Sequence, residues 1–259
     1  MSSDAAFYRS LRHDRVVTIA ALAGVILLAW GYVLLGAGIG REMAMSDMAM
    51  PMPWTPGTFG VMLLMWTVMM AAMMLPSAAP VILLLASISR RRTAQAAPYP
   101  ATRLFAVAYL VIWAAFSIVA TSAQWALQQE NLLSPAMASS SASLVGTLFV
   151  FAGVYQLTPL KQACLRRCRS PLDFVTDYWR PGPFGAFRMG FRHGLFCLGC
   201  CWAMMTLLFA GGLMNVLWIA ALALFVLVEK TTPSGGLFGR VAGIGLILLG
   251  GATLLPLIG

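Results

Sequence analysis

The chain has 259 residues, of which 60% are hydrophobic and only 10% are charged. Soluble domains carry about 25% charged residues, so this chain cannot coat a water-facing surface, and a soluble enzyme is excluded. Intrinsic disorder is excluded as well, because apolar surface is plentiful. The net charge is +9, from 17 Lys and Arg against 8 Asp and Glu. In so apolar a chain that excess reads as membrane topology, not nucleic-acid binding.

A helix crossing a bilayer needs about 20 mostly apolar residues. Seven such runs occur, at about 16–39, 58–86, 102–127, 143–160, 192–211, 213–228 and 241–258. The first has a basic flank, yet its apolar run exceeds the roughly 7–15 residues of a signal peptide, so it reads as an uncleaved anchor. The second holds Pro76 and Pro80, which predict a kink or an early end. The sixth is short. Positive charges mark the cytoplasmic side. Arg9, Arg12 and Arg15 precede the first run, and Arg90, Arg91, Arg92 and Arg103 follow the second. Lys161, Arg166, Arg167, Arg169, Arg180, Arg188 and Arg192 follow the fourth, and Lys230 and Arg240 follow the sixth. With the N-terminus inside, 16 of the 17 positive charges fall on one side, and only Arg41 falls on the other.

The predicted fold is an all-α polytopic membrane helix bundle of about seven transmembrane helices. Its N-terminus is cytoplasmic and its C-terminus outside. It forms one membrane domain over 1–259, placed in the bacterial inner membrane with the lipid bilayer around it. Loop 161–191 is then cytoplasmic, with a short helix expected in 160–188, and loop 41–57 is a Met-rich outer loop. No Gly-rich phosphate loop, Ser-His-Asp arrangement or nucleotide-driven domain is legible, which argues against an enzyme and against an active pump.

No run carries a well-buried Asp, Glu, Lys or Arg, which lowers the case for a proton-coupled carrier. Gln124, Gln156 and Asn215 are expected to make interhelical hydrogen bonds. Glu229 and Lys230 close the sixth run and are expected to act as an interfacial ion pair or as anchors. The remaining chemistry is sulfur, from 17 Met and five Cys.

The fifth run opens with Arg192-His193-Gly194-Leu195-Phe196-Cys197-Leu198-Gly199-Cys200-Cys201. On a helix, His193, Cys197 and Cys201 recur every four residues and share one face, with Cys200 on its edge. Thiolate and imidazole are natural ligands of Cu(I) and of zinc. The alternative is packing, since Cys is also a small hydrophobe and Gly190, Gly194 and Gly199 let helices approach. Cys164 and Cys168 form a second pair at the same spacing, among Lys161, Arg166, Arg167 and Arg169. Neighbouring positive charge favours thiolates, so this pair is expected to exchange a soft metal at the cytoplasmic face. Inert juxtamembrane thiols are the alternative.

Methionine extends the pattern. Met43, Met45, Met48, Met50 and Met52 crowd the outer loop. Met62, Met65, Met69 and Met73 then form a stripe on the second run, flanked by Met70 and Met74. Thioether suits Cu(I) and needs no deprotonation. The candidate metal ligands are Cys197, Cys200, Cys201, His193, Met65, Met69, Met73, Cys164 and Cys168. The expected metal is copper as Cu(I), with zinc as the alternative at a His/Cys site. A Met stripe is equally the pattern of a packed core.

Three blocks carry a family resemblance: Trp66-Thr-Val-Met69-Met70-Ala-Ala-Met73-Met74-Leu75-Pro76-Ser77, then Gln156 to Pro171 with Cys164 and Cys168, then Gly190 to Trp202 with Asn215 and Glu229-Lys230 following. Over roughly 60–232 the chain resembles a bacterial family of polytopic proteins named "predicted metal-binding integral membrane protein". The resemblance implies a membrane fold and metal binding; the outer Met loop lies outside it. Three functions remain open. One is metal handling, as passive transport or delivery to a soluble metal chaperone or a membrane enzyme. The others are a thiol–disulfide relay, for which Cys197 and Cys200 have redox-pair spacing, and a membrane scaffold. No nucleic-acid partner is expected.

Overall fold

Ten helices account for nearly all of the residues that the computed structural model describes, which are 16–36, 53–92, 99–134 and 137–257. The outer Met loop expected at 41–57 lies outside the described residues as far as Met52, as do Arg9, Arg12, Arg15 and Arg41. The helices are α1 (Val16–Gly36), α2 (Pro56–Arg92), α3 (Tyr99–Gln129), α4 (Ala142–Leu157) and α5 (Pro159–Arg169). They continue with α6 (Pro171–Tyr178), α7 (Gly182–Thr206), α8 (Leu208–Gly211), α9 (Val216–Thr231) and α10 (Gly235–Leu254). There is no strand among the described residues, only an isolated bridge between Leu133 and Ser139. The chain is an all-α bundle.

Each of the seven apolar runs coincides with a helix. Among the described residues, five helices are long and apolar enough to cross a bilayer, or six if the bent pair α4 and α5 is one broken span. α4 and α9 have 16 residues each, about 24 Å of helix against a hydrocarbon core of about 30 Å. The fifth run begins ten residues earlier than expected, at Gly182, where Pro183 suits the first helical turn. The 160–188 segment holds two helices, α5 and α6, in place of one. α4 and α5 meet at 67°, because Pro159 drives Thr158 out of the helical region, to φ −68° and ψ 146°. The Thr158 side chain then caps α5 by accepting from the Lys161 amide.

α2 runs through both prolines without ending. Pro76 has no N–H to give the Ala72 carbonyl, and that carbonyl instead accepts from Trp30 Nε1 of α1 at 3.1 Å. The missing backbone bond thus becomes a tie between helices.

Polar residues work unevenly. Gln124 accepts from Trp66 Nε1 at 2.8 Å and joins α3 to α2, as expected. Asn215 instead caps α9, accepting from the Trp218 amide. Gln156 is fully buried, and both side-chain amide atoms lack a partner.

α4 and α10 pack through paired glycines. A Cβ on Gly153 would lie 2.6 Å from the Gly243 carbonyl oxygen, and one on Gly250 would lie 2.6 Å from that of Gly146. Both helices space these glycines seven residues apart, so the two backbones touch along one seam. Elsewhere the bundle is apolar outward. Leu27, Leu28 and Leu35 on α1, and Val241, Leu248 and Leu249 on α10, are exposed, which suits lipid and not water.

Candidate metal site

Small residues bring the sulfur helix into the centre. On α7, a Cβ added to Gly190 would lie 2.2 Å from the Phe105 carbonyl oxygen, and one on Gly194 would lie 2.8 Å from Ile112. The α3 backbone therefore lies directly on α7, and Cys197, Cys200 and Cys201 beyond this seam are buried. The glycines serve packing, as one reading of the sequence held, and that packing encloses the thiols.

The thiols do not converge on a single point. Among the described residues, no three His, Cys, Asp or Glu side chains stand in a metal-binding arrangement. The reason is helical: neighbouring positions are about 100° apart around the axis, so Cys200 and Cys201 face different helices. Cys200 Sγ faces α5, 3.9 Å from Cys168 Sγ. Cys201 Sγ faces α2, 3.9 Å from Met74 Sδ. Cys197 lies one turn before both on the same helix and is buried with them. Cys164 is half-buried at the side of this group, with its Sγ against Gly199, where a Cβ would lie 2.8 Å away. All five cysteines are free thiols.

Soft-metal chemistry fits this set. Two sulfurs sharing a metal at bonds of about 2.3 Å, the zinc–thiolate length, lie no more than about 4.6 Å apart. Both 3.9 Å pairs lie within that reach. His193 is buried one turn before Cys197, boxed by Phe174, Phe105 and Tyr109 at ring separations of 4.9, 5.8 and 5.8 Å. Its Nδ1 has no hydrogen-bond partner, so a donor atom stands free beside the thiols.

Methionine enters at an unexpected position. Met69 and Met73 are buried in the α2 core and Met65 packs against it, but the thioether that meets a cysteine belongs to Met74. The Tyr109 hydroxyl donates to the Met74 carbonyl at 3.0 Å and lies 3.0 Å from Cys197 Sγ. It joins α2, α3 and α7 at the site.

The charged residues depart most from the sequence reading. Lys161, Glu229 and Lys230 are all buried, so the interior does contain ionisable groups. Glu229 does not pair with Lys230. Its Oε1 accepts from Lys161 Nζ of α5, and its Oε2 has no partner. Glycine again makes the room: a Cβ on Gly239 of α10 would run into the Glu229 carboxylate. Lys230 is not a surface anchor. Its Nζ lies 2.9 Å from Cys197 Sγ, 3.8 Å from Cys201 Sγ and 3.4 Å from Ser77 Oγ.

Arg167 and Arg169 of α5 are engaged away from its thiols. Arg167 pairs with Asp177, and Arg169 donates to the Thr232 and Pro233 carbonyls. Burial pushes the Cys164 thiol up from its ordinary range, with Cys200 adding to the effect, opposite to the lowering expected from the charge run. Among the described residues, the cation that stands against the α7 cysteines is Lys230. Tyr109, Ser77 and Lys230 escaped the sequence reading; the one visible signal was a lysine ending an apolar run.

No curated protein and no solved structure matches the chain. Residues 63–253 match the family model PpoB2, described as a copper chaperone. The matched stretch holds every cysteine, His193, Met65, Met69, Met73, Met74 and Lys230, and it leaves out the outer Met loop. The metal-related membership implied by the three motif blocks therefore holds, under a different family from the one the motifs suggested, and the chain belongs to the PpoB2 copper chaperone family.

Proposed function

We propose that this chain is a membrane-embedded copper chaperone that holds Cu(I) on the sulfur cluster and passes it to a partner. The observation that carries this reading is the gathering of Cys168, Cys197, Cys200, Cys201 and Met74 from three helices into one buried group. Thiolate and thioether together favour Cu(I), whereas zinc gains nothing from Met74. Cys197 and Cys201 with Met74 form the holding site, and Cys168 with Cys200 the neighbouring pair. Half-buried Cys164 is the point of exchange. His193 stands by as a nitrogen donor.

In this reading the chain spans the bacterial inner membrane, with α5 and α6 on the cytoplasmic side. Cargo arrives from, or leaves to, a soluble metal chaperone or a membrane enzyme. Full-length protein purified anaerobically with copper supplied is expected to retain copper. The triple change Cys197→Ser, Cys200→Ser, Cys201→Ser is expected to abolish that retention, because Ser offers a hard oxygen of similar size. Equal copper in the two proteins, by elemental analysis, would sink the proposal.

The orientation has its own test. Reporter fusions after Gln95 and Ser170 are expected to read cytoplasmic, and fusions after Asp47 and Asn131 to read outside. Reversed signals at two of these four positions would overturn the topology.

A further inference from the structure

Lys230 is the one buried cation at the sulfur cluster, and nothing conventional balances it. Among the described residues, ion pairs join Lys161 to Glu229 and Arg167 to Asp177, and Lys230 takes part in neither. Its neighbours are the Cys197 and Cys201 thiols and the Ser77 hydroxyl. Ser77 donates its own proton to the Met74 carbonyl, so its oxygen offers lone pairs to Lys230. An ammonium has three donors and no acceptor, and here three acceptors face it. A buried charge is tolerated only when paired, and the atoms within reach of this one are the Cys197 and Cys201 sulfurs and the Ser77 oxygen.

We infer that Lys230 is the built-in counter-ion of the metal site and selects a monovalent soft cation over a divalent one. The inference rests on the proposed copper reading. When Cu(I) binds Cys197 and Cys201, two S–Cu bonds form, the thiol protons leave to solvent and no electron is transferred. Two thiolates bring two negative charges, Cu(I) one positive charge, and the Lys230 ammonium another. The loaded site is neutral, and the Met74 thioether adds a ligand without adding charge. A divalent ion on the same two thiolates would leave one uncompensated positive charge beside Lys230. In a low-dielectric interior that imbalance is costly. The Lys161–Glu229 pair is already neutral, so it does not alter this balance.

The test uses full-length protein in detergent, with Cu(I), its redox-inert monovalent stand-in Ag(I), and Cd(II) as separate probes. Cu(I) is competed with a chromophoric chelator and Cd(II) with a second chelator. Lys230→Met is expected to weaken Cu(I) retention by roughly two to three powers of ten, the scale on which removing one partner of a buried ion pair is felt. The same change is expected to strengthen Cd(II) binding, which a merely structural lysine would not do. Lys230→Arg keeps the charge and is expected to keep the preference for Cu(I). If Lys230→Met does not fold, Lys230→Gln and the wild-type comparison carry the test: wild type binding Cd(II) as tightly as Ag(I) overturns the inference. An unchanged ratio of Cu(I) to Cd(II) affinity in Lys230→Met also overturns it, and leaves the copper reading standing. Wild type that retains neither Cu(I) nor Ag(I) overturns both.

Discussion

Replacing Glu229 by Gln is expected to destabilise the bundle by about 3–5 kcal/mol, the cost of stranding one member of a buried ion pair. Lys161 and Glu229 are both fully buried. Lys161 begins α5 and Glu229 ends α9, so the pair ties two helices far apart in sequence. Without the carboxylate, the Lys161 ammonium loses the ion-pair partner it has among the described residues. Lys161→Met alone is expected to cost a similar amount, since it strands Glu229, whose Oε2 already lacks a partner. The double change Lys161→Met, Glu229→Leu removes both charges and is expected to recover most of the loss. Reversible unfolding followed by helical circular dichroism measures all three. A double variant no more stable than either single would show that the pair holds the fold by shape and not by charge.

A substitution at Gly190 strikes the seam between α3 and α7. Its Cβ would lie 2.2 Å from the Phe105 carbonyl oxygen and 2.8 Å from the Phe105 Cα. These are backbone atoms, so no rotamer relieves the clash and the helices must part. Overpacking of this kind costs about 1–3 kcal/mol, sometimes more, and Gly190→Ala is expected to fall in that range. Tyr109 lies one turn along α3, and its contact with Cys197 would open with the seam, so copper retention is expected to fall along with stability. Gly245 gives the opposite sign. Nothing lies within 4 Å of its Cβ position, and Gly245→Ala is expected to stabilise α10 by up to about 1 kcal/mol. Equal unfolding midpoints for the two variants would refute the seam.

The helices were legible because apolar runs announce themselves by length alone, and all seven runs lie on helices. Boundaries were less legible. α7 begins with Gly182-Pro183-Phe184-Gly185, which reads as a loop until Arg188 and Arg192 are seen as part of a helix that starts outside the apolar run. The cysteine cluster was legible from its fourfold spacing. Its partners were not, because Met74, Cys168 and Lys230 reach it from positions 29 to 127 residues away in sequence. Spacing on one helix says which residues share a face, and it is silent on which helix that face meets. The stripe of Met65, Met69 and Met73 was correctly placed on α2, yet Met74 turns toward Cys201. Lys230 misled for a physical reason: a lysine ending an apolar run ordinarily snorkels to water. Here the α5 segment folds back against α7 and α9 and covers that end of the bundle.

Arg169 donates to carbonyls just past the end of α9, and Lys161, two turns earlier on α5, holds the carboxylate of Glu229. Both ends of α5 are thus moored to one end of α9, and Cys164 and Cys168 lie between the moorings. A helix held this way does not act as a swinging arm. In the proposed chaperone the ion would climb a fixed ladder of sulfurs, gaining a new rung before it leaves the old one. The pace of such a handover is set by side-chain rotation, which is fast, and not by domain motion, which is slow. Loosening a mooring would then disturb the spacing of the rungs, while leaving each sulfur as able to bind as before.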